Sequence, residues 1–153
     1  MPNFTWSGLS NPQFRELAIQ YARMEFLSYG FDVLAPAAGD NDTDFVVKSP
    51  KTNCFYEIKV VSERAGTACF PKSRIDIYNE KHIVCLLRFR DEHYPRGYLI
   101  SATVWQVQPH ELFSSRDYDE PGQNANPDYN IKLSQRNRRR LDDYLIAHQI
   151  TKL

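Results

Sequence analysis

Net charge is what this chain most plainly lacks. Its 19 basic side chains balance 19 acidic ones over 153 residues. Any affinity for a polyanion therefore has to come from local patches, because the global field offers none. No apolar run approaches the roughly 20 residues needed to span a bilayer, so no membrane contact is expected. The opening MPNFTWSGLS has neither the basic start nor the apolar core of a secretory signal, which points to the cytoplasm. There is no glycine-rich phosphate loop. Ser62 and Ser101 sit in no nucleophile elbow, so a hydrolytic triad has no support. His82, His93, His110 and His148 are dispersed and form no Cys/His zinc pattern. Cys54, Cys69 and Cys85 are an odd number at uninformative spacing and read as buried, reduced thiols.

The length suggests one domain over residues 1–153. Asn11 and Pro12 suit the first positions of a helix. Phe14, Leu17, Ala18, Tyr21, Ala22, Met24 and Leu27 recur near helical spacing, and Gly30 suits the far end. The pattern predicts a helix over 12–29. A short strand follows at 31–35, then a polar loop to Thr43. Residues 45–47 and 54–61 read as two strands joined by Ser-Pro-Lys-Thr-Asn turn chemistry. Residues 62–71 read as a loop and 72–79 as a short helix. The run His82-Ile-Val-Cys-Leu-Leu is too continuously apolar for a half-exposed strand and predicts a central, buried one. Residues 98–101 form another strand, 103–113 a short helix and an extended piece, and 114–130 a long loop. Ser134 is expected to cap a last helix running to His148. The order α-β-β-β-α-β-β-α implies an α/β fold, with a mixed central sheet built on a β-hairpin and flanked by helices.

The hairpin carries three charged residues on otherwise apolar strands. If Pro50 to Asn53 close the loop, Ser49 faces Cys54, Val46 faces Glu57 and Asp44 faces Lys59. Side chains alternate faces along a strand, so Asp44, Glu57 and Lys59 share one face. Asp44 and Glu57 are then diagonal neighbours, with α-carbons roughly 7–8 Å apart. Phe45, Val47, Tyr56, Ile58 and Val60 share the other face, the natural core side. A slip of one residue would destroy that agreement.

Two neighbouring carboxylates offer the hard oxygen donors that Mg²⁺ or Mn²⁺ takes, and Mg²⁺ commonly uses only one or two of them. Such a metal would activate water and polarise a phosphodiester. Lys59 on the same face would orient the water or stabilise charge on the phosphorane. Glu25, on the first helix, is a further candidate metal ligand. On spacing alone, a plain cross-strand ion pair between Asp44 and Lys59 is the commoner reading. Diverging carboxylates, or a Lys59 side chain in the core, would remove the site.

Helix, strand, Asp44, turn, then Glu57-Ile58-Lys59 resembles the PD-(D/E)xK nuclease superfamily, which includes restriction enzymes and archaeal Holliday-junction resolvases. The resemblance implies a restriction-endonuclease-like αβββαβ core. It also implies Asp44 and Glu57 as ligands of Mg²⁺ or Mn²⁺, Lys59 as the catalytic lysine, DNA as substrate and a homodimer as the acting form. Thr43 stands where the motif's proline would be. A wider similarity is to an uncharacterised bacterial family of the DUF4365 type. It is carried by Met24-Glu25-Phe26, Tyr29-Gly30-Phe31-Asp32-Val33, Asp44-Phe45-Val46, Phe70-Pro71-Lys72, Tyr98-Leu99-Ile100 with Trp105, and Arg116-Asp117-Tyr118. In that family the third motif reads acid-Ile-Gln-Val-Lys, so Lys59 and Val61 stand at the Gln and Lys places. Either the pair has moved back two residues, to Glu57 and Lys59, which keeps the strand face, or the site has decayed. The family's helical Glu falls near Ile19 or Gln20 rather than at Glu25.

Arg64, Lys72 and Arg74 follow the hairpin and are candidate phosphate contacts. Arg138 is another, within the basic cluster Arg136, Arg138, Arg139 and Arg140. That cluster also reads as a solvated helix face, partly neutralised by Asp142 and Asp143. Trp6, Tyr94, Trp105 and Tyr118 could stack on bases, although most aromatics in a domain this size are core. The expected function is metal-dependent hydrolysis of DNA phosphodiesters. The alternatives are a catalytically inactive nuclease-fold module that binds nucleic acid or a protein partner, and a structural hairpin in an unrelated α/β protein.

Overall fold

A computed structural model describes residues 5–118, 120–122 and 126–153. Helix α1 spans Asn11–Ser28. Its cap is Ser10, one residue earlier than expected. The Ser10 hydroxyl accepts from the Gln13 N–H, and the Gln13 side chain accepts from the Ser10 N–H. That reciprocal box satisfies two of the helix's orphan donors. Gly30 follows at φ +85°, the left-handed conformation that lets the chain leave a helix without a Cβ clash. The buried stripe is Phe14, Ala18, Ala22 and Phe26. Met24 and Leu27, counted above with the apolar face, are instead exposed.

The main sheet has the order β1-β2-β3-β5-β6. Its strands are β1 (Asp32–Leu34), β2 (Phe45–Lys48), β3 (Phe55–Glu63), β5 (His82–Arg88) and β6 (Arg96–Ser101). β3 and β5 run parallel, and the other neighbours are antiparallel. The hairpin register is Val46 opposite Glu57 and Val47 opposite Tyr56. The Ser49 N–H donates to the Cys54 carbonyl at 2.9 Å. Asn53 takes φ 58° at the turn, a conformation asparagine tolerates better than most residues. The Ser49 hydroxyl accepts from the Lys51 and Thr52 N–H groups and donates to the Leu153 carbonyl, which ties the turn to the chain's end.

The sheet separates two apolar clusters. On one face α1 packs its stripe on Phe45, Val47, Tyr56, Ile58, Val60, Ile83 and Leu87. On the other lie Val61, Val84, Leu86, Ile100 and Trp105. β5 contributes to both, and only its last residue escapes full burial. Each large apolar side chain buried this way stabilises the fold by roughly 1.5–3 kcal/mol.

The second cluster is roofed by a second, antiparallel sheet of order β4-β8-β7. Its strands are β4 (Ala68–Pro71), β7 (Phe113–Arg116) and β8 (Asp128–Ile131). This corrects the far end of the loop expected at 62–71 and both ends of the one expected at 114–130, of which 119 and 123–125 lie outside the described residues. The helix expected at 72–79 is only a 3-10 turn, Lys72–Arg74. The crossover from β3 to β5 therefore contains a strand and a turn where an α-helix was expected. The last helix is also interrupted. α2 (Arg138–Leu141) and α3 (Ile146–Gln149) are separated by Leu145, whose φ −50°, ψ 141° is extended backbone. Leu145 instead bridges to Tyr98 at the edge of β6. Ser134 precedes a 3-10 turn and makes no side-chain cap. Gly97 makes room for this segment, because a Cβ there would collide with Ile146 Cδ1. Cys85 is buried, but Cys54 is only partly covered and Cys69 is exposed. No helix among the described residues is long and apolar enough to cross a membrane.

Candidate active site

The start of β2 and the first half of β3 bring Asp44 and Lys59 together. Asp44 lies one residue before β2, and its side chain takes over the end of the β2–β3 ladder. Oδ2 accepts from the Val60 N–H at 2.7 Å. The Lys59 ammonium stands 3.7 Å from the same oxygen. Oδ1 accepts from Arg15 Nη2 at 2.6 Å. Arg15 reaches over from the first turns of α1, so the two charged strands and the helix meet at this corner.

Lys59 is buried, with only 9% of its side chain exposed. It belongs to neither apolar cluster and has Asp44 as its counter-charge. Burial pulls the ammonium's pKa below its ordinary value, and Asp44 opposes that shift only in part. Desolvation of this kind disfavours the charged form of a lysine.

Glu57 shares the strand face of Lys59 but finds different partners. Its Oε2 accepts from Asn79 Nδ2 at 3.1 Å. It lines a cavity of about 290 Å³ together with Asp40, Asp42, Asp76, Arg74 and His82. Asp40 closes a turn there: Thr43 and the Asp42 and Thr43 N–H groups donate to it and hold its pKa down. His82 sits beside Glu57 on the neighbouring parallel strand. The Asp76 N–H donates to His82 Nδ1 at 3.3 Å, so the proton of the neutral ring is on Nε2. Nε2 is buried and has no partner among the described residues. An unmade hydrogen bond of this kind costs about 1–3 kcal/mol. Burial pushes the His82 pKa down, against the pull of Glu57 and the nearby aspartates.

Sequence reasoning had set His82 aside for want of a partner pattern. Its signal was positional: a polar residue heading the most apolar strand, level with Glu57.

The remaining candidates are distributed as follows. Glu25 is on α1, which packs the opposite face of the sheet from Glu57 and Lys59, and burial raises its pKa. Arg64 is engaged within the fold. It donates to the Trp6 and Leu9 carbonyls and to Asn11 Oδ1, and it stacks 4.4 Å over the Phe14 ring. It thereby anchors the segment leading into α1. Lys72 pairs with Asp117 at 2.6 Å and lies over Tyr129. Arg74 is half exposed and pairs with Asp42 at 3.2 Å, at the cavity itself. Arg138 lies elsewhere, in a second cavity lined by Arg88 and Arg96. Val61, at the place of the lysine in the DUF4365-type motif, belongs to the second apolar cluster. Of the aromatics, Trp6 and Trp105 are core, whereas Tyr94 is exposed.

The donor chemistry here is that of hard oxygens, which suits Mg²⁺ or Mn²⁺. Asp44 and Glu57 are carboxylates on the lysine's strand face, at its own end of β3. No cluster of three or more metal-ligating side chains occurs among the described residues. A two-carboxylate site with water and substrate oxygens in the other positions is compatible with that count. The cavity's four carboxylates against one arginine would repel a bare phosphodiester, so an anionic substrate needs a cation between. In comparison with known proteins, no family model and no curated protein sequence matches this chain.

Proposed function

We propose that the corner formed by Asp44, Glu57 and Lys59 hydrolyses DNA phosphodiesters with the help of Mg²⁺ or Mn²⁺. The observation that carries this reading is Lys59: a buried ammonium, 3.7 Å from Asp44, on the same strand face as Glu57 beside an acidic cavity. A lysine in that setting is costly to keep for stability alone. The order of α1, three antiparallel strands, a crossover and a parallel strand supports an αβββαβ-type, restriction-endonuclease-like core, with β4 and a 3-10 turn in place of the crossover helix.

Asp44 and Glu57 would hold the cation, which supplies Lewis-acid activation of the phosphate and of water. The chain's own groups do the rest. The Val60 N–H fixes Asp44 so that its carboxylate cannot swing away. Lys59, already desolvated, presents positive charge where the phosphorane develops its negative charge, and it needs no solvent reorganisation to do so.

One observation favours a second reading. Arg15 occupies Asp44 Oδ1 at 2.6 Å, which is how a nuclease-fold module without catalysis would neutralise that carboxylate. Such a module would bind nucleic acid or a protein partner and leave it uncut.

A titration of Mg²⁺ and of Mn²⁺ against supercoiled plasmid separates the two. Cation-dependent nicking that Asp44→Ala and Lys59→Met abolish is the expected result. Plasmid retained but never nicked, at any concentration of either metal, sinks the enzyme and leaves the binding module.

A further inference from the structure

At the other end of β3 and β5 lies a cavity of about 590 Å³ with arginines on several sides. Arg88 ends β5 and stands opposite Arg96, which begins β6. Arg90 follows two residues after Arg88, and Arg138 comes from the first turn of α2. All four line this cavity. Among the described residues, Glu63 is the one carboxylate that pairs with them. It accepts from Arg88 Nε at 2.8 Å and from Arg90 Nη1 at 3.2 Å. Arg96 and Arg138 are exposed and make no ion pair among the described residues.

Four guanidiniums against one carboxylate leave a local charge of about +3 in a chain with no net charge. Two arginines directly opposite on antiparallel strands repel each other, and neither side of that pairing serves the apolar core. Charge concentrated in a concave site, with the apolar Leu133 and Tyr98 as part of its wall, differs from a surface stripe that follows a duplex. Guanidinium forks match phosphate oxygens in pairs, and several converging forks favour a group with two negative charges over a singly charged diester.

We propose that this cavity binds a terminal phosphate group, carried either by a free nucleotide or by the 5′ end of a nucleic acid. The site stands apart from the Asp44 corner. Lys59, which meets Asp44, and Glu63 are four residues apart on one strand, roughly 13 Å at strand rise. Its occupancy therefore neither requires nor disproves cleavage at the other end.

Isothermal titration in EDTA tests it, using inorganic phosphate, a nucleoside 5′-triphosphate, and a short oligonucleotide with a 5′-phosphate or a 5′-hydroxyl. The expected result is binding of at least one phosphate-bearing probe. The Arg96→Ala, Arg138→Ala double variant should weaken it about tenfold or more. Tighter binding of the triphosphate identifies a free nucleotide as the source, and preference for the 5′-phosphorylated strand over both its hydroxyl twin and the triphosphate identifies a nucleic-acid end. The proposal is overturned if no probe binds the wild type, if the double variant binds as well as wild type, or if the two oligonucleotides bind alike and more tightly than either small probe. Both substituted arginines are exposed, and a circular dichroism spectrum confirms that the variant is folded.

Discussion

Glu63 and Glu57 lie six residues apart on one strand, face two different solutions to buried charge, and differ in how completely they are satisfied. The Glu63 side chain has no exposed surface. Burial would raise its pKa, but hydrogen bonds from Arg88, the Gly66 N–H and Arg90 outweigh that and hold it below the ordinary value. At the Glu57 end, by contrast, Lys59 has one ion-pair partner among the described residues, Asp44, and burial shifts it against its charged form. His82, alongside, keeps a buried Nε2 with no partner among the described residues. A closed network of this sort ties the end of β3 to the end of β5 and to the turn at Gly66. An incomplete one costs stability and persists where something else gains from it.

The largest effect that can break this comparison is at Glu63. Glu63→Gln leaves Arg88 and Arg90 facing each other without a counter-charge. It should lower unfolding free energy in urea by about 3–5 kcal/mol, since removing one partner of a buried pair strands the other. A loss under 1 kcal/mol would show that the network contributes nothing to the fold.

Lys59→Met should behave in the opposite way. Asp44 keeps Arg15 and the Val60 N–H, so stability should change by no more than about 1 kcal/mol. Cation-dependent nicking should fall about 10²–10³-fold, some 2.7–4 kcal/mol in activation free energy. Equal nicking by variant and wild type would reduce Lys59 to a structural lysine.

The two ends also separate by pH. His82 has its folded pKa below its ordinary value of 6.5, so the unfolded chain binds the extra proton first. Stability that is complete above 6.5 is lost as pH falls from there through the folded pKa. Glu63, also lowered in the fold, begins to lose its contribution only below its ordinary value of 4.5. Melting temperature followed from pH 8 to 4 should therefore fall in two limbs. His82→Gln should flatten the upper limb alone, and an upper limb unchanged by that substitution would remove His82 from the account.

The smallest effect is at Arg15. Half of its side chain is exposed, so Arg15→Ala should cost under about 1 kcal/mol. If the Asp44 corner is catalytic, the variant still nicks plasmid. If Arg15 is the permanent partner of a silent site, it does not.

Much of the hairpin could be read in advance, because its signals are local. Pro50 to Asn53 set the turn, and the alternation in Phe45-Val46-Val47 and Tyr56 to Val60 then allowed only one register. β5 was legible for a similar reason: six consecutive residues without a solvent face have only the middle of a sheet to occupy. The second sheet was not legible. Its strands are four residues long, and β8 reads Asp-Tyr-Asn-Ile, where two apolar residues alternate with loop formers. Those strands exist because Phe70, Phe113, Tyr129 and Ile131 cover Trp105 and the underside of the main sheet. The interrupted last helix is a further override, since Leu145 gives up helical geometry to bridge to Tyr98.

By itself, then, the sequence determined which side chains share a face, since the two-residue period of a strand follows from backbone geometry alone. It placed Asp44, Glu57 and Lys59 on one side and the core on the other. Only the tertiary structure decided what those charges meet. Arg15 reaches Asp44 from 29 residues away, Asn79 takes Glu57 from 22, and Arg64 is drawn off to the start of α1. Such partners depend on how a helix and a crossover pack onto the sheet, and no local pattern encodes that. The same packing concentrated four arginines in a cavity of a chain whose charges otherwise cancel.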